Sequence, residues 1–145
     1  MALIIWSKER RALQEYTLQD LINAIFHQNF LAVYWILCAG VNPNQYYGVR
    51  SPLLHLAVLI GNPHIIKILI FHGAALDTED EEGFTALEKA IIFKDLTIAK
   101  ILLSAHSPVR ELTIELAFTY ELYDDLEDLI PTSDLEQYSS PKNSF

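Results

Sequence analysis

Residues 51–74 read SPLLHLAVLIGNPHIIKILIFHGA, two short apolar segments split by Gly61-Asn62-Pro63. Ser51-Pro52 reads as an N-cap followed by proline at the first helical position, where a missing N–H costs nothing. A first helix is expected over residues 53–60, ended by Gly61. Asn62-Pro63 caps a second over 64–71, and Gly73 stops it. The same grammar recurs on both sides. Leu21, Leu54 and Leu87 fall 33 residues apart, as do Ala24, Ala57 and Ala90. Ile36, Leu69 and Leu102 keep that register, and Gly40 pairs with Gly73. A fixed period of this length marks an array of small units, none able to bury its apolar face alone.

Outward from the centre, the first unit starts at Thr17, with Asp20 as an imperfect capping box, and Asn29 caps its second helix. The third opens at Thr85 and uses Asp95 to cap a second helix over 96–103. Between them, residues 74–83 form an extended acidic connection. After Leu103 the period fails: Ala117 follows Ala90 by 27 residues, not 33, so the last connection, 105–111, is trimmed by six. A first helix around 114–118 and an acidic second helix over 124–130 suit a C-terminal cap that faces water. Residues 8–16 read as a short N-terminal capping helix. Residues 131–145 are Ser, Pro and polar, read as a disordered tail.

Helix, turn, helix and extended finger at this pitch resemble the ankyrin repeat, over about residues 17–130. Leu54-His55-Leu56-Ala57 is similar to that family's Leu-His-x-Ala core, and Gly40-Val41-Asn42-Pro43-Asn44 to its Gly-Ala-Asp-Pro-Asn ending. Gly73-Ala74 and Asp80-Glu81-Glu82-Gly83 match the same ending and the finger turn after it. The sequence departs from the family where Pro52-Leu53 replaces Thr-Pro, which shifts the helix start by one residue. It departs again where Glu88 replaces the histidine, which removes a hydroxyl–imidazole brace. The expected fold is an all-α ankyrin-repeat solenoid of three units plus a degenerate C-terminal fourth. Its segments are a capping segment 1–16, a repeat domain 17–130 (units 17–49, 50–82, 83–110 and 111–130) and the tail 131–145.

Composition narrows the function. The 145 residues suit one domain, and 51% are hydrophobic with a mean hydropathy of +0.19, enough for a core. No apolar run approaches the ~18 residues of a membrane span, and the apolar Leu3-Ile4-Ile5-Trp6 lacks the preceding basic segment of a secretory signal. A single cysteine, Cys38, excludes an internal disulfide and fits a reducing compartment, cytoplasm or nucleus. A microbial or viral origin would make delivery into a host cell an alternative. Net charge −9 argues against nucleic acid, which asks for a basic face. Neither membrane nor nucleic acid is expected as a partner.

Little in the chain points to catalysis. His55 takes the place of the family's bracing histidine. No cluster of Cys, His and acids has zinc spacing, Cys38 has no basic neighbour in sequence to activate it, and no glycine-rich phosphate loop occurs. Glu79 to Glu82 lacks the alternating oxygens of a calcium loop. No metal, cofactor or enzymatic activity is expected.

The resemblance implies a concave groove lined by the two residues after each unit's paired small positions. The family mostly carries polar groups there; this chain has Phe26-His27, Leu59-Ile60, Ile92-Phe93 and Thr119-Tyr120. Phe26, His27, Leu59, Ile60, Ile92, Phe93 and Tyr120 are therefore the expected binding residues, with Tyr46, Tyr47 and Phe84 on the finger side. Glu79 and Glu82 would orient a basic segment. The expectation is a non-catalytic protein-binding module whose partner offers a basic, apolar segment. Its alternatives are a self-associating structural subunit and, further off, an enzyme on a repeat scaffold. The plainer reading of these apolar groups is packing against neighbouring fingers.

Overall fold

The computed structural model describes residues 15–133. Helices α1 (Leu18–Phe26) and α2 (Phe30–Cys38) form the first unit. α3 (Leu53–Ile60) and α4 (Pro63–Phe71) form the second, and α5 (Ala86–Ile92) and α6 (Leu96–Ser104) the third. The fourth has α7 (Glu111–Thr119) and the single turn α8 (Tyr123–Leu126). The only described sheet is a two-residue antiparallel ladder in the finger that leads into the second unit, β1 (Tyr46–Tyr47) against β2 (Ser51–Pro52). First helices stack α1–α3–α5–α7 and second helices α2–α4–α6–α8.

Caps place the helices. Thr17 and Asp20 complete a reciprocal box despite the short acid: Asp20 N–H donates to Thr17 Oγ1 at 3.3 Å and Thr17 N–H to Asp20 Oδ2 at 2.7 Å. Asn29, Asn62 and Asp95 each accept a first-turn N–H of a second helix. The second unit differs. Ser51 lies in β2 and Pro52 itself is the N-cap of α3, with no side chain capping the helix. The turn between the two helices of every unit needs one left-handed residue, at Gln28, Gly61, Lys94 and Glu121. Only the second unit supplies the glycine that adopts this conformation without steric cost.

Stacking builds one continuous core. Leu21, Leu54 and Leu87, Ile36, Leu69 and Leu102, and Ala24, Ala57, Ala90 and Ala117 are all buried. The alanines let neighbouring first helices approach closely. In the fourth unit the helix expected over 124–130 is one α-turn followed by a 3-10 turn, Glu127–Leu129. That tightening returns Leu126 and Ile130 to the core while Asp124, Asp125, Glu127 and Asp128 face water.

The capping helix expected over 8–16 lies outside the described residues except for Glu15 and Tyr16, and Tyr16 packs half-buried against the core. Of the tail only 131–133 are described; all three are exposed, and 132 and 133 have helical backbone.

Candidate partner-binding groove

The finger of the third unit is a turn closed by one aspartate. Asp80 Oδ1 accepts the N–H groups of Glu82 and Phe84, both at 3.0 Å, and Asp80 N–H donates to the Phe84 carbonyl at 2.9 Å. His55 reaches across from α3 and donates its Nε2–H to the same carbonyl at 2.8 Å. Both lone pairs of that oxygen are thereby used, and the finger is pinned to the unit before it. The bond fixes the His55 tautomer, with Nδ1 left as an acceptor, buried and without a partner among the described residues. Burial draws the imidazole below its ordinary value against the opposing pull of the Phe84 bond.

Lys89 completes the wall. Its ammonium lies 3.2 Å from Asp80 and 2.8 Å from Glu82, and 5.0 Å from the centre of the Phe84 ring. Burial opposes its charge, but the two carboxylates together hold the amine above its usual range. Burial also opposes the charge on Asp80. Hydrogen bonds from Phe84, Lys89 and Glu82 and the lysine charge outweigh it and hold the acid low.

Between this wall and α3 lies a recess of about 450 Å³. Leu56, Leu59, Ile92 and Phe93 form its apolar floor, Tyr47 and Ser51 one side, and Asp80, Glu81, Glu82 and Lys89 the other. Phe26 extends the apolar strip, its ring edge-on to Tyr47 at 6.0 Å. Relative exposures of 48% for Phe26, 58% for Leu59 and 46% for Phe93 leave these three side chains open to solvent, while Leu56 belongs to the core.

The structure thus brings Phe26, Tyr47, Leu59, Ile92, Phe93 and Glu82 together and sends the other expected residues elsewhere. Ile60 and Tyr120 are half-buried against the core, with Lys94 above the Tyr120 ring at 5.8 Å. His27 is the exposed C-cap of α1. Phe84 lies half-buried beneath Lys89. Tyr46 faces away, into a separate recess of about 100 Å³ beside Pro43 and Ala74, because adjacent strand residues point to opposite sides. The acidic finger is also less free than its composition implies. Glu82 pairs with Lys89 and Glu79 with Arg110, and of the four carboxylates at 79–82 only Glu81 makes no ion pair among the described residues.

A second polar cluster holds the third unit to the fourth. Glu88, fully buried on α5, accepts from Thr85 N–H at 3.0 Å, Thr113 Oγ1 at 2.8 Å and Arg110 Nε at 2.9 Å. The Arg110 Nη2 group also donates to it and to the Gly83 carbonyl at 3.0 Å. Burial alone would raise the Glu88 carboxyl; the Arg110, Thr85 and Thr113 hydrogen bonds and the Arg110 charge hold it below its ordinary value. The expected loss of a brace at position 88 is therefore a replacement of one brace by another. Thr85 and Glu88 at capping-box spacing were the legible half of it; Arg110 was not. Among the described residues no three His, Cys, Asp or Glu side chains converge to hold a metal ion, and no helix is long and apolar enough to cross a membrane.

Residues 21–111 match the family model for ankyrin repeats in three copies. An ankyrin repeat protein of Acanthamoeba polyphaga mimivirus is 30% identical over 115 residues, 79% of this chain and 15% of that protein. Ankyrin repeat domain-containing protein 13B of Homo sapiens is 35% identical over 54 residues, 37% of this chain and 8% of its own length. E3 ubiquitin-protein ligase hecd-1 of Caenorhabditis elegans is 46% identical over 43 residues, 30% of this chain and 2% of the ligase. The chain therefore spans a small fraction of the relatives it matches.

Proposed function

The chain belongs to the ankyrin-repeat family, and from that footing we propose that it binds a protein partner through the recess between α3, α5 and the third finger. Ankyrin repeats generally mediate protein–protein interaction and are typically non-catalytic. The observation that carries the finer reading is the exposure of Phe26, Leu59 and Phe93 around one recess. A contiguous apolar strip is costly in water and marks an interaction site. A partner segment with two or three apolar side chains gains roughly 1.5–3 kcal/mol for each one fully buried. The rigid stack loses little conformational entropy in accepting it.

Glu81 and the exposed edges of Glu79 and Glu82 favour a basic residue beside those anchors. Their ion pairs with Lys89 and Arg110 make this steering weaker than four free carboxylates would be. The single cysteine suits an intracellular setting, in the cell that makes the protein or in one it is delivered to.

The test is a titration of the isotope-labelled full chain with a synthetic peptide of leucines flanked by lysines, followed by amide shifts. Shifts should centre on Leu59, Ile92 and Phe93, and Leu59→Glu/Phe93→Glu should remove them while the circular dichroism spectrum stays unchanged. Shifts that survive the double substitution refute the site. Unfolding of that variant assigns the side chains to the core and refutes it equally.

A further inference from the structure

The outer face of the second helices has the opposite chemistry from the groove. α4 (PHIIKILIF) and α6 (LTIAKILLS) contain no acidic residue, in a chain of net charge −9. Each carries one lysine, and Lys67 and Lys100 stand one period apart, so stacking sets them on the same face. Both are exposed, and neither forms an ion pair among the described residues, whereas Lys89 and Arg110 are both paired. A recess of about 540 Å³ lies between the two lysines, floored by Ile70, Phe71 and Ile101. Phe71 is 81% exposed there, the most exposed of the described phenylalanines.

We propose that this outer face is a second docking surface, for an acidic peptide segment of a protein partner that sets one apolar side chain on Phe71 and Ile101 between carboxylates meeting Lys67 and Lys100. Charge complementarity selects the occupant. Two cations flanking an apolar floor repel a basic segment and accept an acidic one, and no described residue takes up their charge in an ion pair. A lipid surface is a poorer match, because a bilayer sets an extended anionic plane against a molecule of net charge −9, whereas a short peptide meets only the two lysines and the apolar floor beside them. With the groove facing the other way and favouring a basic segment, the rigid domain would bridge two partners of opposite charge.

The experiment titrates the isotope-labelled full chain with a ten-residue glutamate–leucine peptide, a lysine–leucine peptide of the same length, and phosphatidylserine vesicles. The acidic peptide should shift amides at 67–71 and 100–105 and leave the groove residues unmoved. Its affinity should fall about tenfold in Phe71→Ala, as expected for one lost apolar contact. A further loss should follow from Lys67→Glu/Lys100→Glu and from raised salt. All three positions are exposed, so circular dichroism should report an intact fold. The proposal is overturned if the acidic peptide causes no shifts there or binds the charge-reversed variant equally well. Preference of that face for the basic peptide or the vesicles overturns it too.

Discussion

His55 in the second unit and Glu88 in the third occupy the same repeat position, one period apart, and both brace their unit to the next. They do so with different chemistry. His55 spends one N–H on the Phe84 carbonyl and leaves Nδ1 buried without a partner among the described residues. Its neighbour at the N-cap, Pro52, has neither a hydroxyl nor an N–H to offer. The corresponding residue of the third unit is Thr85, whose N–H and hydroxyl both engage Glu88 in a reciprocal box. Glu88 is left with acceptor capacity to spare, which Arg110, at the N-cap of the fourth unit's α7, and Thr113 fill. A neutral brace thus tolerates an incomplete shell, whereas a buried carboxylate requires a complete one. The shortened last unit stays docked because it supplies the missing cation.

The largest effect expected from this contrast is the loss of Arg110. Arg110→Ala strands a buried carboxylate and should cost about 3 kcal/mol, read by urea unfolding. Arg110→Ala combined with Glu88→Gln should cost clearly less than the sum of the two single changes, since the stranded charge is gone. A loss below ~1 kcal/mol for Arg110→Ala would rank the pair with ordinary surface salt bridges and dissolve the comparison.

Pro52→Thr should act in the opposite direction. It restores a cap for α3 and a donor within reach of His55, and should stabilise by about 1 kcal/mol. The part of the gain made through the imidazole should disappear when His55→Leu is already present, while the part made through the cap remains. An unchanged melting temperature in the His55 background would mean that the orphaned nitrogen carries no penalty.

Acid should separate the two braces with a smaller signal. His55 has a folded-state value below its ordinary 6.5, so the unfolded chain binds a proton first and stability declines as pH falls from about 6.5. Glu88 has a folded-state value below its ordinary 4.5, so its contribution is complete above that pH and is lost as pH falls through the folded value. His55→Leu should flatten the upper part of the stability profile and Glu88→Gln the lower part. Coincident changes in both variants would show that the two junctions titrate as one.

Much of the architecture was legible in single residues. Leu21, Leu54 and Leu87, with the alanines three positions later, announced the stack; Asn29, Asn62 and Asp95 announced the starts of the second helices. The one-residue shift expected at Pro52 did not occur: Pro52 is the N-cap of α3 and Leu53 its first residue, one full period before Thr85 and Ala86. The groove was legible only in part. Leu59, Ile92 and Phe93 were recoverable because the family resemblance implies which two positions of each first helix face the groove, and all three line the recess. Tyr46 and Tyr47 were not separable by type and parted only when the ladder put them on opposite sides. The acidic run looked like one free patch until Lys89 and Arg110 were found against it.

What the amino-acid sequence determined by itself was the period, the helix limits of the first three units to within a residue or two, and the buried register, because these follow from caps, turns and apolar spacing within a few residues. Only the tertiary structure decided which charges remain available. Arg110 meets Glu88 from 22 positions away and Glu79 from 31, and Lys67 shares a recess with Lys100 across a full repeat. Electrostatic partnership depends on distance in space and on burial. Stacking set both.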